Sequence, residues 1–311
     1  MEILLQLALL VVGFFLLMKG ADWFVDGAAA IADKLGIPQL VIGLTIVAMG
    51  TSLPEAAVSI TSAIKGNAGI TIGNVVGSNI MNVLVILGLT AVICAIPVQK
   101  STVCIEIPFT IAVTAVLAFL GLMDHKVNRT EGIVLWVLMI VYLLYLLKMA
   151  KSGKNQEEEE EGKKKPVWLM LLMILVGAAM IVFGSDITVD AASAIAKIFG
   201  MGDRLIGLTI VAFGTSLPEL VTSVTAALKG KTDIAVGNIV GSNIFNILFV
   251  VGTTALITSV EYSEAFLVDS ILAVAAVVLL FLCTIKNRRL GRLGGLLMLA
   301  GYAAYFVYIL Q

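Results

Sequence analysis

Two copies of a six-residue motif place a glutamate inside strongly apolar sequence. GTSLPE occupies Gly50–Glu55 and recurs at Gly214–Glu219. A charged side chain is costly in the hydrocarbon core of a membrane, and such residues usually mark the path of an ion or a substrate. The proline of the motif has no N–H donor and clashes with the preceding helical turn. The motif therefore predicts a membrane helix that is broken beside an acidic side chain.

The residues around each break supply oxygen atoms. Ser52 and Glu55 have the spacing of a capping box, with serine as the N-cap and glutamate at the third helical position. The helix that ends at the break leaves carbonyl groups without intrahelical partners. The candidate cation ligands are Ala48 (through its carbonyl), Thr51, Ser52 and Glu55 in the first copy, and Ala212, Thr215, Ser216 and Glu219 in the second.

A second motif contributes serine and asparagine. GSNIMN occupies Gly77–Asn82, and GSNIFN occupies Gly241–Asn246. The small and polar residues predict a further local break or a capped helix start. Hydroxyl and amide oxygens are hard ligands that suit sodium, calcium or magnesium. We favour Ser78, Asn82, Ser242 and Asn246 as ligands, and hydrogen bonding between helices is the alternative for these side chains.

The charge of this set limits the cation. Two buried carboxylates balance one calcium ion, or most of the charge of several sodium ions that share the same oxygens. Calcium takes ~6–8 oxygen ligands, which two carboxylates, carbonyls and side chains can provide. The chain has one histidine, His125, and three scattered cysteines, so zinc and copper are not expected. The sequence offers no nucleophile–base pair and no cofactor-binding loop, and we therefore expect neither an enzyme nor a bound cofactor.

The composition indicates the elements that must position these residues. The chain has 311 residues, of which 60% are hydrophobic and 13% charged, and its mean hydropathy is +1.07. Long apolar stretches predict an all-α membrane protein, and a net charge of −1 gives no footprint for nucleic acid. The predicted transmembrane helices are ten segments, roughly 3–31, 38–64, 70–96, 103–123, 132–150, 167–199, 205–228, 234–260, 265–285 and 293–310.

The chain overlays itself after a shift of 164 residues, the difference between positions 219 and 55. GLTIVAMGTSLPE (43–55) matches GLTIVAFGTSLPE (207–219), and ITIGNVVGSNIMNVL (70–84) matches IAVGNIVGSNIFNIL (234–248). We expect a five-helix repeat at 1–150, a charged cytoplasmic linker at 151–166 and a second repeat at 167–311. An odd number of spans inverts the second copy, as in many secondary transporters.

Basic residues fix the expected orientation. Lysine and arginine are concentrated in alternate loops, above all around 148–165 and 286–292. The positive-inside rule then predicts that both termini lie outside the cell membrane. Two other polar features stay ambiguous. Ser59 and Ser62 line an access path or a helix–helix contact, and Asp22, Asp26, Asp186 and Asp190 lie in vestibules or at exposed helix ends.

The paired GTSLPE and GSNIxN blocks resemble the alpha repeats of the calcium/cation antiporter superfamily, and most closely its prokaryotic sodium/calcium exchanger branch. The resemblance covers nearly the whole chain. It implies ten helices in two inverted repeats, with helices 2, 3, 7 and 8 broken around the ion sites and helices 1 and 6 sliding across them. It also implies that the twelve residues named above bind the ions. Several exchangers carry aspartate where this chain has Asn246, which puts potassium coupling in doubt.

The expected function is secondary active antiport in the lipid bilayer, with sodium and calcium as the transported ions. Each ion would neutralise the same two glutamates, so that only a loaded site changes its accessibility. A proton/calcium antiporter of the same superfamily is the alternative, with protons in place of sodium. A passive cation channel is a rival from another class. The sequence does not define the stoichiometry or the oligomeric state.

Overall fold

The computed structural model describes residues 2–66, 68–153, 166–200, 212–263 and 266–309. These residues form long helices with four two-residue strands between them. The helices are α1 (Glu2–Leu35), α2 (Gln39–Thr51), α3 (Leu53–Ile64), α4 (Ile70–Ile93), α5 (Thr102–Glu106 continued by Ile107–Asp124), α6 (Arg129–Gly153), α7 (Val167–Ile198), α8 (Ala212–Thr215), α9 (Leu217–Leu228), α10 (Thr232–Ile257), α11 (Phe266–Ile285) and α12 (Arg292–Ile309). The strands are β1 (Ile96–Pro97), β2 (Lys126–Val127), β3 (Val260–Glu261) and β4 (Arg289–Leu290).

The helices are those of a multi-pass membrane protein. Eight helices in the described part of the chain are long and apolar enough to cross a membrane, and the bent pair α2–α3 makes a ninth. The tenth predicted span, 205–228, lies partly outside the described residues, as do most of the predicted linker at 151–166 and the repeated residues 207–211. The all-helical class is confirmed.

The predicted break in the second span is confirmed. The helix axis bends by 49° between α2 and α3. Ser52 lies at the bend with ψ 8°, and Pro54 occupies the first turn of α3. In the second half, Ser216 separates α8 from α9 with ψ 3°. Proline removes one backbone donor, so the chain leaves the helix one residue before the restart.

The capping box predicted at Ser52 is wrong. Neither Ser52 nor Ser216 makes a side-chain hydrogen bond to the helix that it precedes. The backbone spans the bend instead, because the amide of Ala56 donates to the carbonyl of Ser52 at 3.1 Å. The hydroxyl of Ser52 is therefore free for contacts in the protein interior.

The breaks predicted at the GSN motifs, in helices 3 and 8, are also wrong. Both α4 and α10 run through the motif without leaving helical geometry, and each widens into a π-helical segment directly after it, at Asn82–Leu87 and Asn246–Val251. Close packing explains the continuity. Gly237 and Gly241 let α10 approach the backbone of α2, where an added Cβ would lie 2.9 Å from the Leu44 nitrogen or 2.8 Å from its carbonyl oxygen.

Two of the helices are much longer than a bilayer requires. α1 has 34 residues and α7 has 32, which is ~50 Å of helix at 1.5 Å per residue against a hydrocarbon core of ~30 Å. They pack antiparallel along their lengths through a seam of glycines. An added Cβ at Gly20 would lie 2.8 Å from the carbonyl of Gly177, and one at Gly184 would lie 2.9 Å from that of Gly13. Small residues permit such close approach of membrane helices.

Two short ribbons connect the halves of the chain. Strand β1 pairs antiparallel with β4, and β2 pairs antiparallel with β3. Each ribbon therefore joins a strand before residue 150 to one after residue 167. The main hydrophobic core lies between α4, α5, α10 and α11, where residues such as Ile72, Ile80 and Ile244 are completely buried. This core fixes α4 and α10, which face the two bends.

Candidate ion-binding site

The two glutamates meet in one buried site. Glu55 and Glu219 both have no exposed surface, and their carboxylates are close enough to interact electrostatically. The hydroxyl of Ser52, beside Glu55 in the first bend, donates to Glu219 Oε1 at 3.0 Å. Each broken helix thus reaches the carboxylate of the other, so the site belongs to both halves of the chain.

The serine of the GSN motif extends this contact. Ser78 on α4 donates to Glu55 Oε1 at 3.2 Å, and its Oγ lies 3.4 Å from Ser216 Oγ at the second bend. Ser242 on α10 points instead to the first bend, where it donates to the carbonyl of Ala48 at 3.4 Å. Thr51 donates to the same carbonyl at 3.3 Å. The bends and α4 and α10 therefore share a single polar cluster.

Four oxygen atoms in this cluster have no hydrogen-bond partner. They are Glu55 Oε2, Glu219 Oε2, Asn82 Oδ1 and Asn246 Oδ1. Each belongs to a side chain with 0% exposure. A buried acceptor without a partner costs about 1–3 kcal/mol, and more when it is charged. Such a cost in four acceptors is the signature of a site built for a cation.

Of the residues predicted to form the site, the structure brings most together. Ala48, Thr51, Ser52, Glu55, Ser78, Asn82, Ser216, Glu219, Ser242 and Asn246 are buried at the junction of α2, α3, α4, α9 and α10. Thr215 is partly exposed at the end of α8. Ala212 begins α8, and its side chain lies outside the described set.

A second pair of asparagines orients the predicted ligands. Asn79 donates to the carbonyl of Asn243 at 3.2 Å, and Asn243 donates to the carbonyl of Asn79 at 3.2 Å. Asn82 then donates to Asn243 Oδ1 at 3.0 Å, and Asn246 donates to Asn79 Oδ1 at 3.2 Å. Because the amide nitrogens of Asn82 and Asn246 are used in these bonds, their oxygens are the atoms left facing the site. Sequence reasoning left this pair to helix packing.

Two further asparagines support the glutamates and were missed. Asn74 donates to the carbonyl of Glu55 at 3.1 Å and to Ser59 Oγ at 2.9 Å. Asn238 does the same for Glu219, at 3.4 Å, and for Ser223, at 2.9 Å. Asn238 Oδ1 also accepts a bond from Thr51 at 3.0 Å. Their identity in both copies of the repeat was the available signal. The bonds favour helix contact over an access path as the role of Ser59.

The fold and the site together define a class. The chain is a multi-pass helical membrane protein whose broken helices carry two acidic side chains into a buried, oxygen-lined cluster. Among the described residues, no group of three or more His, Cys, Asp and Glu side chains converges as a metal centre. The arrangement is that of an intramembrane ion site and not of a bound metal cofactor.

Comparison with known proteins identifies the family. A family model described as "Sodium/calcium exchanger protein" matches residues 5–148 and 169–311. The putative antiporter CaxA of Alkalimonas amylolytica is 41% identical over 304 residues, which cover 94% of this chain and 95% of that protein. The sodium/calcium exchanger MaX1 of Methanosarcina acetivorans is 32% identical over 347 residues, with 97% of each covered. A solved structure of the sodium-calcium exchanger NCX_Mj is similar with a TM-score of 0.85 and 33% identity, over 98% of each chain.

The chain therefore belongs to the sodium/calcium exchanger family. The resemblance carried by the GTSLPE and GSNIxN blocks is confirmed. Members of this family are membrane transport proteins, so the expectation of a transporter is confirmed at that level.

Proposed function

We propose that this protein is a secondary active antiporter that exchanges sodium for calcium at the cluster between the two bends. The observation that carries the proposal is the set of four unpartnered, fully buried oxygens, two carboxylate and two amide. Two carboxylates neutralise one calcium ion, and the remaining oxygens are of the hard type that calcium and sodium prefer. The family, with relatives named as sodium/calcium exchangers, supports the same choice of ions.

The twelve predicted residues form the proposed ion site. Glu55 and Glu219 supply the charge, Asn82 and Asn246 present their amide oxygens, and the bends supply hydroxyls and the carbonyls of Ala48 and Ala212. The ligand list is completed by Thr51, Ser52, Ser78, Thr215, Ser216 and Ser242. Calcium and sodium compete for these oxygens, and an ion-free site with two bare carboxylates is too costly to move between the membrane faces. Coupling follows from that cost.

We further propose that the two halves are inverted repeats, 1–150 and 167–311, joined by a cytoplasmic linker at 151–166, with ten spans and both termini outside. The pairing of the ribbons supports the inversion. Shifting β1 by 164 residues gives β3, and shifting β2 by 163 residues gives β4, so the two ribbons are equivalent under the repeat. An axis in the membrane plane would place one ribbon on each face.

Calcium flux into proteoliposomes distinguishes the coupling ion. Sodium, proton and potassium gradients are imposed one at a time, at constant ionic strength. We expect uptake driven by an outward sodium gradient and no uptake driven by the proton gradient alone. Uptake driven by protons and indifferent to sodium would replace this proposal with the proton/calcium antiporter. Calcium movement down its own gradient, without any counter-ion, would indicate a channel.

A further inference from the structure

A third buried carboxylate lies outside the central cluster. Glu106 is on α5, in the span that follows α4, and its side chain has 0% exposure. No ion pair with Glu106 is found in the described part of the chain. An isolated carboxylate in a membrane helix is expensive unless something compensates its charge. The central site does not use this residue.

The surroundings of Glu106 repeat the arrangement of the central glutamates. Tyr145 on α6 donates to Glu106 Oε1, as Ser78 does to Glu55 Oε1 and Ser52 does to Glu219 Oε1. The second oxygen, Glu106 Oε2, has no partner, and neither have the second oxygens of Glu55 and Glu219. In all three cases a hydroxyl fixes one carboxylate oxygen and leaves the other free.

Two further oxygens near Glu106 are also unpartnered. Thr102 Oγ1 and Tyr142 OH are buried without a hydrogen-bond partner, at 1% and 5% exposure. Thr102 is one helical turn before Glu106, on the same face of α5, and both side chains are within interaction range of the carboxylate. A protonated Glu106 would donate to one of these hydroxyls, and an ionised Glu106 would accept from both. Neither bond forms, so the three oxygens are available to a shared ligand.

The backbone and the packing leave room for that ligand. Residues Thr102–Glu106 are π-helical, a geometry that interrupts the regular α-helical bonding and is frequent at functional sites. Of the four π-helical segments in the described residues, the other three lie at the central site, before Ala48 and from Asn82 and Asn246 onward. A cavity of about 190 Å³, lined by Glu106, Phe109, Tyr142 and Tyr145 among others, adjoins the cluster.

We propose that Glu106, Thr102 and Tyr142 form a second cation site, for one sodium ion, between α5 and α6. A single carboxylate balances a single positive charge, whereas a divalent ion would leave net charge in the membrane. The oxygen-only ligand set suits sodium and not a transition metal. The site lies within two turns of the start of α5, so the ion reaches it from the adjacent membrane face and not from the central cluster.

The second half of the chain lacks this arrangement. Tyr305 donates to Asp269 Oδ1 at 2.8 Å, which is a comparable pair of an acid on α11 and a tyrosine on α12. Asp269 is only half-buried, and the neighbouring Ser270 is hydrogen-bonded to Tyr262. The proposed site therefore breaks the symmetry of the repeats and can act differently on the two halves.

The test removes the central site first. In a Glu55→Gln/Glu219→Gln double variant, purified as the full chain, thermal unfolding is measured in sodium chloride and in choline chloride at equal ionic strength. We expect sodium to raise the Tm by on the order of 2–5 °C in this background, since a ligand stabilises the state that binds it. Equilibrium binding of radioactive sodium to the same double variant should saturate. Because the central carboxylates are absent, the outcome does not depend on the proposed exchange function.

Further substitutions in that background identify the site. Glu106→Gln should abolish the sodium-dependent rise and the saturable binding. Thr102→Val and Tyr142→Phe keep the carboxylate, fold independently of any defect of Glu106→Gln, and should each weaken sodium binding about tenfold. Thr114→Val is the matched control on the same helix, because the hydroxyl of Thr114 bonds to the carbonyl of Thr110 at 2.7 Å. The absence of any sodium effect in the double variant, or an effect unchanged by all three substitutions, would overturn the proposal.

Discussion

Each proposed ligand at the centre of the molecule is oriented by a residue that does not face the ion. The amides of Asn82 and Asn246 are held through their nitrogens by Asn243 and Asn79, one from the opposite helix in each case. The main-chain carbonyls beside the glutamates are held by Asn74 and Asn238. Each half thus sets the geometry of the other, which explains why these asparagines occur in both copies of the motif.

Asn79→Ala should weaken calcium binding without removing a ligand. The substitution deletes the bond that fixes the Asn246 amide, so its oxygen is free to rotate away from the ion. Loss of an outer partner of a metal ligand typically costs about 10- to 100-fold in affinity, and we expect a rise of that size in the half-saturating calcium concentration for exchange.

A cycle with Asn246→Ala separates this role from simple destabilisation. The two substitutions should be less than additive, because each removes the same contribution of Asn246. Thr90→Val is the control on α4, since its hydroxyl bonds only to the carbonyl of Ile86 at 2.6 Å. Full additivity, or an unchanged affinity in Asn79→Ala, would show that Asn79 does not position the ligand.

At the scale of helices, the two long helices α1 and α7 contact the broken helices unequally. α1 packs along α9, whereas α7 has at most marginal contact with α3. At the α1–α9 contact, Lys229 Nζ lies 3.1 Å from Asp22 Oδ1 and 2.8 Å from Asp26 Oδ1. The equivalents under the repeat, Lys65 with Asp186 and Asp190, form no ion pair among the described residues. We infer that the described conformation is one of two related states, with the second contact made in the other.

Neutralising the two lysines should have opposite effects. Lys229→Gln removes ion pairs of the described state, and Lys65→Gln removes those of the opposite state. Partly exposed ion pairs contribute about 0.2–1 kcal/mol each, so we expect shifts of about two- to fivefold in the half-saturating calcium concentration. The measurement compares right-side-out with inside-out vesicles, in which the two variants should shift in opposite directions. Shifts in the same direction would contradict the two-state interpretation.

For the whole molecule, the sequence predicts the helices better than the details of the site. Nine of the ten segments agree with described helices to within about three residues at each end, because hydrophobic length alone determines a span. The π-helical segments after Asn82 and Asn246 could not be predicted, since one extra residue per turn leaves no trace in an apolar run. The GSN motifs are poor helix formers, but the packing of Gly237 and Gly241 against α2 keeps that helix intact.

The site itself was predictable as a set of residue types but not as a network. Two acidic motifs at a constant offset indicate which side chains share a site. Only the folded chain shows that Ser52 bonds to Glu219 and not to its own helix, because that choice depends on where the other half lies. Glu106 was the clearest signal left unused, as a lone carboxylate in an otherwise apolar span.

Equilibrium calcium binding to the purified protein tests most directly whether Glu55 and Glu219, one from each half, hold the ion jointly. Isothermal titration is performed on the wild type, Glu55→Gln and Glu219→Gln, with Glu261→Gln on the exposed strand β3 as the control. Removing one partner of a buried charged pair costs about 3–5 kcal/mol. We therefore predict saturable binding in the wild type and the control, and a loss of more than about 100-fold in affinity in either central variant. Binding that survives unchanged in one of them would show that the two halves do not share the ion.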